Sequence, residues 1–293
     1  MFFNQIILNT IITLSYILII ANSFHLIYQS SRFFSLTHAA IITLGAYFTY
    51  MLSVQLGWSL WLAIPAAVVL ATCVGLLLEL GIYKPLRKLN ASPMNLMIAS
   101  LGLYVVLQNV VSMVWGDDTK SIRTGEVTVG NEILGAYITD TQIAIIIISV
   151  ILFVLILLFL KYTKKGKAIR AVSSNAELSN IFGINSDTII LWSVGIGSAL
   201  ASVAGILVSL DVDMTPTMGF NLLLYGVVVM IIGGVGSVTG LIGGAFLLAT
   251  AQHLTAYYID SKWMDAITYV ILILFLIWKP LGFSGKRLKK VEL

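Results

Sequence analysis

The sequence predicts an all-α polytopic membrane protein of eight to nine transmembrane helices, with a candidate broken or re-entrant segment and a short amphipathic helix in a cytoplasmic loop. Three observations predict it. Hydrophobic residues make up 59% of the 293 residues and charged ones only 10%, at a mean hydropathy of +0.99, whereas a soluble domain is roughly one-quarter charged. Uncharged stretches run from Phe33 to Leu78, Leu89 to Gly116, Thr141 to Leu160, Thr188 to Leu210 and Met214 to Ile259. A helix needs about 20 residues to cross a bilayer, so the two longest stretches each hold two crossings. Finally, basic residues cluster at Lys84, Arg87 and Lys88, at Lys161 to Arg170, and at Lys279 to Lys290, which puts these three segments on the cytoplasmic side.

The whole chain, 1–293, reads as a single transmembrane domain, with 161–187 as a cytoplasmic loop and 116–140 as an outward-facing one. No short apolar segment is followed by a small-residue cleavage site, so the first span reads as retained rather than as a signal peptide. Met1 to Ser31 carries no charged side chain, and Arg32 alone does not set its side. The next segment, His25 to Thr37, is polar where an apolar helix would cross or turn. Irregular backbone at membrane depth needs protein or water around it, so Ser35-Leu36-Thr37-His38 reads either as a broken or re-entrant segment lining a pathway or as an ordinary loop. His38 then contacts solute or bonds a neighbouring helix. Gln108 and Asn109, deep in an apolar span, carry the same two readings, with interhelical bonding favoured. Glu79 sits near the cytoplasmic end of its span, where snorkelling or pairing with Lys84 is expected. Cys73 reads as apolar core filler.

Residues 116–140 hold Asp117, Asp118, Glu126, Glu132 and Asp140 against Lys120 and Arg123. This loop is expected to face outward, with some β or turn structure around Arg123 to Gly135, and the turns at Asp211–Gly219 and Tyr257–Asp265 share its side. Residues 161–187 form a cytoplasmic loop in which five of the 17 basic residues fall in the first ten positions. It reads as two short helices. Ile169 and Val172 make a small apolar edge on the first, over Gly166 to Val172. Ser174 and Glu177 have capping-box spacing, so a second helix begins near Asn175. Leu178, Ile181 and Phe182 give that helix an apolar stripe, Gly183 supplies the left-handed residue that ends it, and Ser186 or Asp187 caps the next span. Such a helix either lies on lipid headgroups or docks into a cytoplasmic protein.

Glycines and serines three or four apart, at Gly195, Gly197, Ser198, Ala201 and Gly205 and again from Gly233 to Gly244, suit close helix packing. Gly233 to Ser237 reads as the cytoplasmic turn of a helical hairpin. The net charge of +4 is an address for the cytoplasmic side, not a nucleic-acid footprint. The sequence contains no G-x-x-x-x-G-K-[ST], H-E-x-x-H or G-x-S-x-G motif, so it offers no phosphate loop, zinc-protease or hydrolase signature. The three histidines are too scattered for a metal site. An enzyme is not expected, and the spans lack the buried carboxylates or lysines of a proton relay.

Gly166-Lys-Ala-Ile-Arg-Ala171, Asn175, Leu178 and Gly183-Ile-Asn185 together resemble the cytoplasmic loop of LivH-type permease subunits of bacterial branched-chain amino-acid ABC importers. Further landmarks run in order along nearly the whole chain: Leu36-Thr-His-Ala39, Leu44-Gly-Ala-Tyr47, Tyr83-Lys-Pro-Leu-Arg87, Leu107-Gln-Asn109, Pro216-Thr-Met-Gly219, Gly233-Gly-Val-Gly-Ser237, Gly243-Gly244 and Lys279-Pro-Leu-Gly282. At Ser35-Leu-Thr-His-Ala-Ala40 the chain departs from that type's N-[FL]-A-H-G-E and is closer to the companion LivM subunit.

The resemblance implies an ATP-driven importer in the bacterial cytoplasmic (inner) membrane. Its parts would be a second, LivM-like permease subunit, two ABC ATPase subunits and a periplasmic or extracellular solute-binding protein. ATP and Mg would sit on the ATPases and no cofactor on this chain. It further implies an ATPase-coupling element built from Gly166, Arg170, Asn175, Glu177, Leu178, Phe182 and Gly183, with Ser35, Thr37, His38, Gln108 and Asn109 as candidate pathway residues. Urea or short-chain amides are alternative substrates within the family. A self-contained secondary transporter or channel is the alternative outside it.

Overall fold

A computed structural model describes residues 2–123, 130–133 and 135–283. The first helix, α1 (Phe2–Ser31), is followed by α2 (Thr37–Tyr50), which widens into a π turn at Met51–Gln55. Next, α3 (Leu60–Leu78) runs through a second π turn, Glu79–Tyr83, into α4 (Lys84–Lys88). Pro85 explains the widening: it has no N–H to donate and its ring excludes the carbonyl four residues back. The Lys84 N–H accordingly reaches the Glu79 carbonyl five residues back, a π-type bond. Helix α5 (Pro93–Trp115) leads to a hairpin of β1 (Asn131–Ile133) and β2 (Ala136–Ile138), antiparallel with Asn131 opposite Ile138. The remainder is α6 (Asp140–Tyr162), α7 (Lys164–Ser174), α8 (Ala176–Ile181), α9 (Ser186–Asp211), α10 (Met218–Gly233), α11 (Val238–Tyr258) and α12 (Met264–Trp278).

Among the described residues, eight helical spans are long and apolar enough to cross a membrane, and α10 is a shorter apolar helix of 16 residues. Hydrogen bonds sort the helix ends. At one end, Gln5 exchanges two bonds with the backbone of Tyr137 (2.8 and 3.1 Å). Lys120 and Met214 pair as an isolated β-bridge, and Arg123 meets Asp213 at 3.2 Å. At the other end, the Arg32 guanidinium donates to the Ser173 carbonyl, Lys84 lies 4.0 Å from Asp187, and the Phe283 N–H donates to the Ile232 carbonyl at 2.8 Å. The described parts of the acidic loop and the 211–217 turn therefore share one end, and Lys84–Lys88, the 161–187 loop and the segment from Lys279 to Phe283 share the opposite one; the basic residues from Lys286 to Lys290 lie outside the described residues. The N-terminus of α1 joins the acidic end. The positive-inside rule names the basic end cytoplasmic, and crossing from the acidic N-terminal end to the basic end at Phe283 makes the crossings odd in number, which α10 satisfies as the ninth.

Packing places α1 at the centre, against α6, α9, α10 and α11, while α2 is enclosed by α3, α5, α9 and α10. The glycine spacing serves these close approaches. A Cβ on Gly205 of α9 would collide with the Ile42 carbonyl of α2, and one on Gly197 would come within 2.6 Å of Ile27 of α1. Gly233 and Gly240 face each other across the turn at 234–237 in the same way, so this segment is the helical hairpin its glycines predicted. Outer faces of α3, α5, α6 and α12 are apolar and exposed, as lipid-facing helices are. Cys73 belongs to that outer surface, exposed on α3, rather than to the core.

Candidate functional site

Two sites emerge at the basic end. The first is the 161–187 loop. Thr163 caps α7 by accepting the Gly166 N–H at 2.9 Å. Gly166 is buried where a Cβ would strike the Phe159 carbonyl, so glycine lets α7 fold back tightly on α6. Ile169 and Val172 bury the apolar edge, and Lys165 stacks 5.3 Å over the Trp192 ring of α9. Arg170 stays exposed.

The second short helix begins where expected, but Asn175 caps it rather than Ser174. The Asn175 side chain accepts the Leu178 N–H at 2.9 Å, while Ser174 is still the last residue of α7. With α7 running to 174, the first extended residue is Asn175, and an N-cap needs that extended backbone. The helix ends at Gly183, which takes φ +81° and returns its N–H to the Asn180 carbonyl at 3.0 Å, as predicted. The next span is likewise capped by Asn185, accepting from Thr188 at 3.1 Å, instead of Ser186 or Asp187. Between these stops, Leu178, Ile181 and Phe182 are 50%, 80% and 77% exposed. Glu177 is exposed beside them. The stripe packs on nothing within the chain's own core, an unusual state for three large apolar groups so close together.

The second site is a cavity of about 30 Å³, room for one water or so, lined by a mixture of polar and apolar residues from α1–α3, α9, the 32–36 loop and the 79–83 turn. Ser35, Thr37 and His38 all line it and all are buried. Residues 32–36 are a short loop between two helices, so the chain does not re-enter here. The loop nonetheless sits deep: the Leu36 N–H donates to Ser100 Oγ at 3.0 Å and Thr37 Oγ1 donates to the Ser100 carbonyl at 3.0 Å, roughly two turns along α5 from Pro93. His38 Nε2 bonds Ser23 Oγ of α1 at 2.9 Å, and Thr37 bonds the Tyr83 hydroxyl. Glu79 reaches the same cavity, 2% exposed and paired with Arg87 rather than Lys84. Lys84 turns instead to Asp187.

Gln108 and Asn109 lie elsewhere. They are about 12 Å further along α5 than Ser100, Gln108 half-buried and Asn109 exposed on the outer face with its amide donating to its own Val105 carbonyl at 2.7 Å. The five candidate pathway residues are thus not brought together: three line the cavity, Gln108 lies half-buried on the Ser100–Tyr104 side of α5, and Asn109 is exposed on its outer face. Sequence reasoning missed Ser23, Ser100, Tyr83 and the Arg87 partnership. Ser100, a hydroxyl isolated in an apolar run, was the one available signal. His25 and His253 serve as interhelical partners, to the Gly236 N–H (3.2 Å) and Thr13 (2.8 Å).

A family model described as "Branched-chain amino acid transport system / permease component" matches residues 6–276. The chain belongs to this family. Among relatives of this permease, the high-affinity branched-chain amino acid transport system permease protein LivH of Escherichia coli K12 is 28% identical over 281 residues, covering 92% of this chain and 91% of that one. BraD, a permease protein of the same description from Pseudomonas aeruginosa, is 26% identical over the same shares. A probable LivH of Methanocaldococcus jannaschii is 28% identical over 85% of this chain and 82% of its own length. Among solved structures, PsaBC from Streptococcus pneumoniae in complex with Fab aligns at a TM-score of 0.54 and 12% identity, over 93% of this chain and 91% of that one. That likeness concerns the fold alone. The LivM-like turn at Ser35–Ala40 does not override the match to LivH along the chain's length.

Proposed function

We propose that this permease is one membrane-spanning subunit of an ATP-driven importer for branched-chain amino acids in the bacterial inner membrane. The observation that carries the coupling half of this reading is the exposed stripe of Leu178, Ile181 and Phe182 at the basic end. The names of the relatives carry the substrate half. A single amphipathic turn fixed at both ends by Asn175 and Gly183 suits a helix-in-groove contact, with an ABC ATPase subunit supplying the groove. Glu177 and Arg170 add polar contacts beside the stripe, and Gly166 holds the leading helix against α6.

The path of the motion follows the packing. Helix α8 contacts α7 and α9, and α7 in turn contacts α6, α1 and α9, so displacing α8 loads the helices at the centre of the bundle. ATP and Mg reside on two ATPase subunits, whose closure biases the permease between outward and inward access. A second permease subunit, LivM-like, completes the pathway, and a solute-binding protein delivers substrate at the acidic end. On this reading Gln108 and Asn109 face the pathway from α5, while Ser35, Thr37 and His38 line its cytoplasmic margin.

The test is a pull-down of tagged chain from its native membrane in mild detergent, with co-purifying proteins identified and ATPase activity assayed. Recovery of a second permease and nucleotide-hydrolysing subunits is expected. Recovery of the chain alone, moving leucine in liposomes without ATP, would replace the importer with a secondary carrier.

A further inference from the structure

We propose that the furrow between α6, α7 and the α10–α11 turn is a binding site for one anionic phospholipid of the cytoplasmic leaflet. It is a cavity of about 890 Å³ open at the basic end of the bundle, and its floor includes Gln29 of α1. Helices α6 and α11 both pack on α1, and the furrow lies between them.

Charge and shape argue for that occupant together. Lys161 and Arg170 both line the furrow, no carboxylate does, and among the described residues neither cation belongs to an ion pair. Opposite them, the 21-residue α11 begins at Val238 after its N-cap Ser237, bringing the positive end of its dipole to the same space together with the hydroxyls of Thr239 and of Ser237, which accepts the Gly240 N–H at 3.1 Å and bonds Thr239 at 3.2 Å. Two cations, hydroxyl donors and a helix N-terminus converging from different elements form a seat for a phosphate. A free phosphate would need nothing more.

This furrow, however, continues along Leu157 and Leu158 of α6 and past Val238. Leu158 is 47% exposed, one turn deeper into the bilayer than Lys161. Polar seat at the cytoplasmic level and apolar wall on the membrane side match a headgroup joined to an acyl chain, and basic pockets between helices on this side suit anionic headgroups. The proposal shares Arg170 with the coupling reading but needs neither ATPase nor substrate, so its test on the chain alone stands or falls independently of that reading.

Native mass spectrometry of the purified full chain, equilibrated with equal amounts of phosphatidylglycerol and phosphatidylcholine, tests it. The wild type is expected to retain phosphatidylglycerol in clear preference. K161Q/R170Q is expected to lose roughly 30-fold in retention, about fivefold per cation, whereas K164Q/K167Q, on exposed loop lysines outside the furrow, keeps it. T239W blocks the seat while leaving both cations and should lose the lipid as well, which covers the case that the double variant misfolds. Equal retention of both lipids by the wild type would overturn the proposal. So would equal loss in K164Q/K167Q, the mark of diffuse attraction to a basic surface, or full displacement by millimolar inorganic phosphate, the mark of a simple anion site.

Discussion

Arg87 forms a buried ion pair with Glu79, eight residues earlier, across the π turn that Pro85 imposes. Glu79 is almost wholly enclosed and Arg87 largely so, which makes the pair sensitive to losing one member. A carboxylate stripped of its partner in such a place costs about 3–5 kcal/mol, while replacing both with apolar groups of similar size is close to neutral. R87M is therefore expected to lower the thermal midpoint in detergent sharply, and E79L/R87M to recover most of the loss. An R87M midpoint equal to the wild type would mean that the pair contributes nothing.

Gly183 sits at φ +81°, a backbone conformation closed to proline, whose φ is fixed near −65°. Proline would also delete the N–H that closes on Asn180. G183P should leave membrane insertion and expression intact, because the change lies in a surface loop, yet should uncouple transport from ATP hydrolysis. Normal leucine uptake by cells carrying G183P would remove Gly183 from the coupling element.

Phe182 and Ile181 are exposed, so truncating them should cost the isolated chain no more than about 0.5 kcal/mol. An anchor at the centre of a docking surface is worth about 2 kcal/mol or more. I181A/F182A is thus expected to reduce ATPase recovery in a titrated pull-down by roughly 30-fold or more, with the thermal midpoint unchanged. Full recovery would assign the stripe to the lipid surface instead.

Gly205 leaves no room for a side chain against the Ile42 carbonyl. G205A should destabilise by about 1–3 kcal/mol, because two backbones rather than two flexible side chains must separate. G81A, where nothing lies within 4 Å, is the matched control and should be neutral or slightly stabilising. The contrast in midpoints between the two variants is the readout.

Asn109 faces away from the bundle in mid-span. N109L should be folded normally, since the amide bonds only its own helix, and should impair uptake if the outer face of α5 borders the pathway. Unchanged uptake would leave Asn109 a lipid-facing residue.

Most of the architecture was legible because its causes are local. Uncharged run length fixed the spans, charge clusters fixed their ends, and the stop at Gly183 followed from one residue's freedom at positive φ. The caps were less legible: Ser174 and Asn175 are both good N-caps, and which one serves depends on how far α7 extends, which packing against α6 and α9 decides. The Glu79 partner was missed for a related reason, since a π turn changes which residues face each other and no regular period announces it. The cavity around Thr37 and His38 was half legible. Its polar members were noticed one by one, but the meeting of their loop with Ser23, Ser100 and Tyr83 depends on contacts up to 66 residues apart. The side of the N-terminus was not legible at all, because the uncharged α1 is oriented by its fit to later helices and to Tyr137.

That last dependence bears on how the protein is made. Helix α1 leaves the ribosome ahead of α9, α10 and α11, against which it packs and which are synthesised about two hundred residues later. At about 5–20 residues per second, α1 waits roughly 10 to 40 s for its partners. During that interval Asn22, Ser23 and His25, all buried in the finished bundle, have only lipid, early helices or the insertion machinery around them. Of the helices in the bundle's centre, the first is thus the one that waits longest for its neighbours and the one most in need of protection during biogenesis.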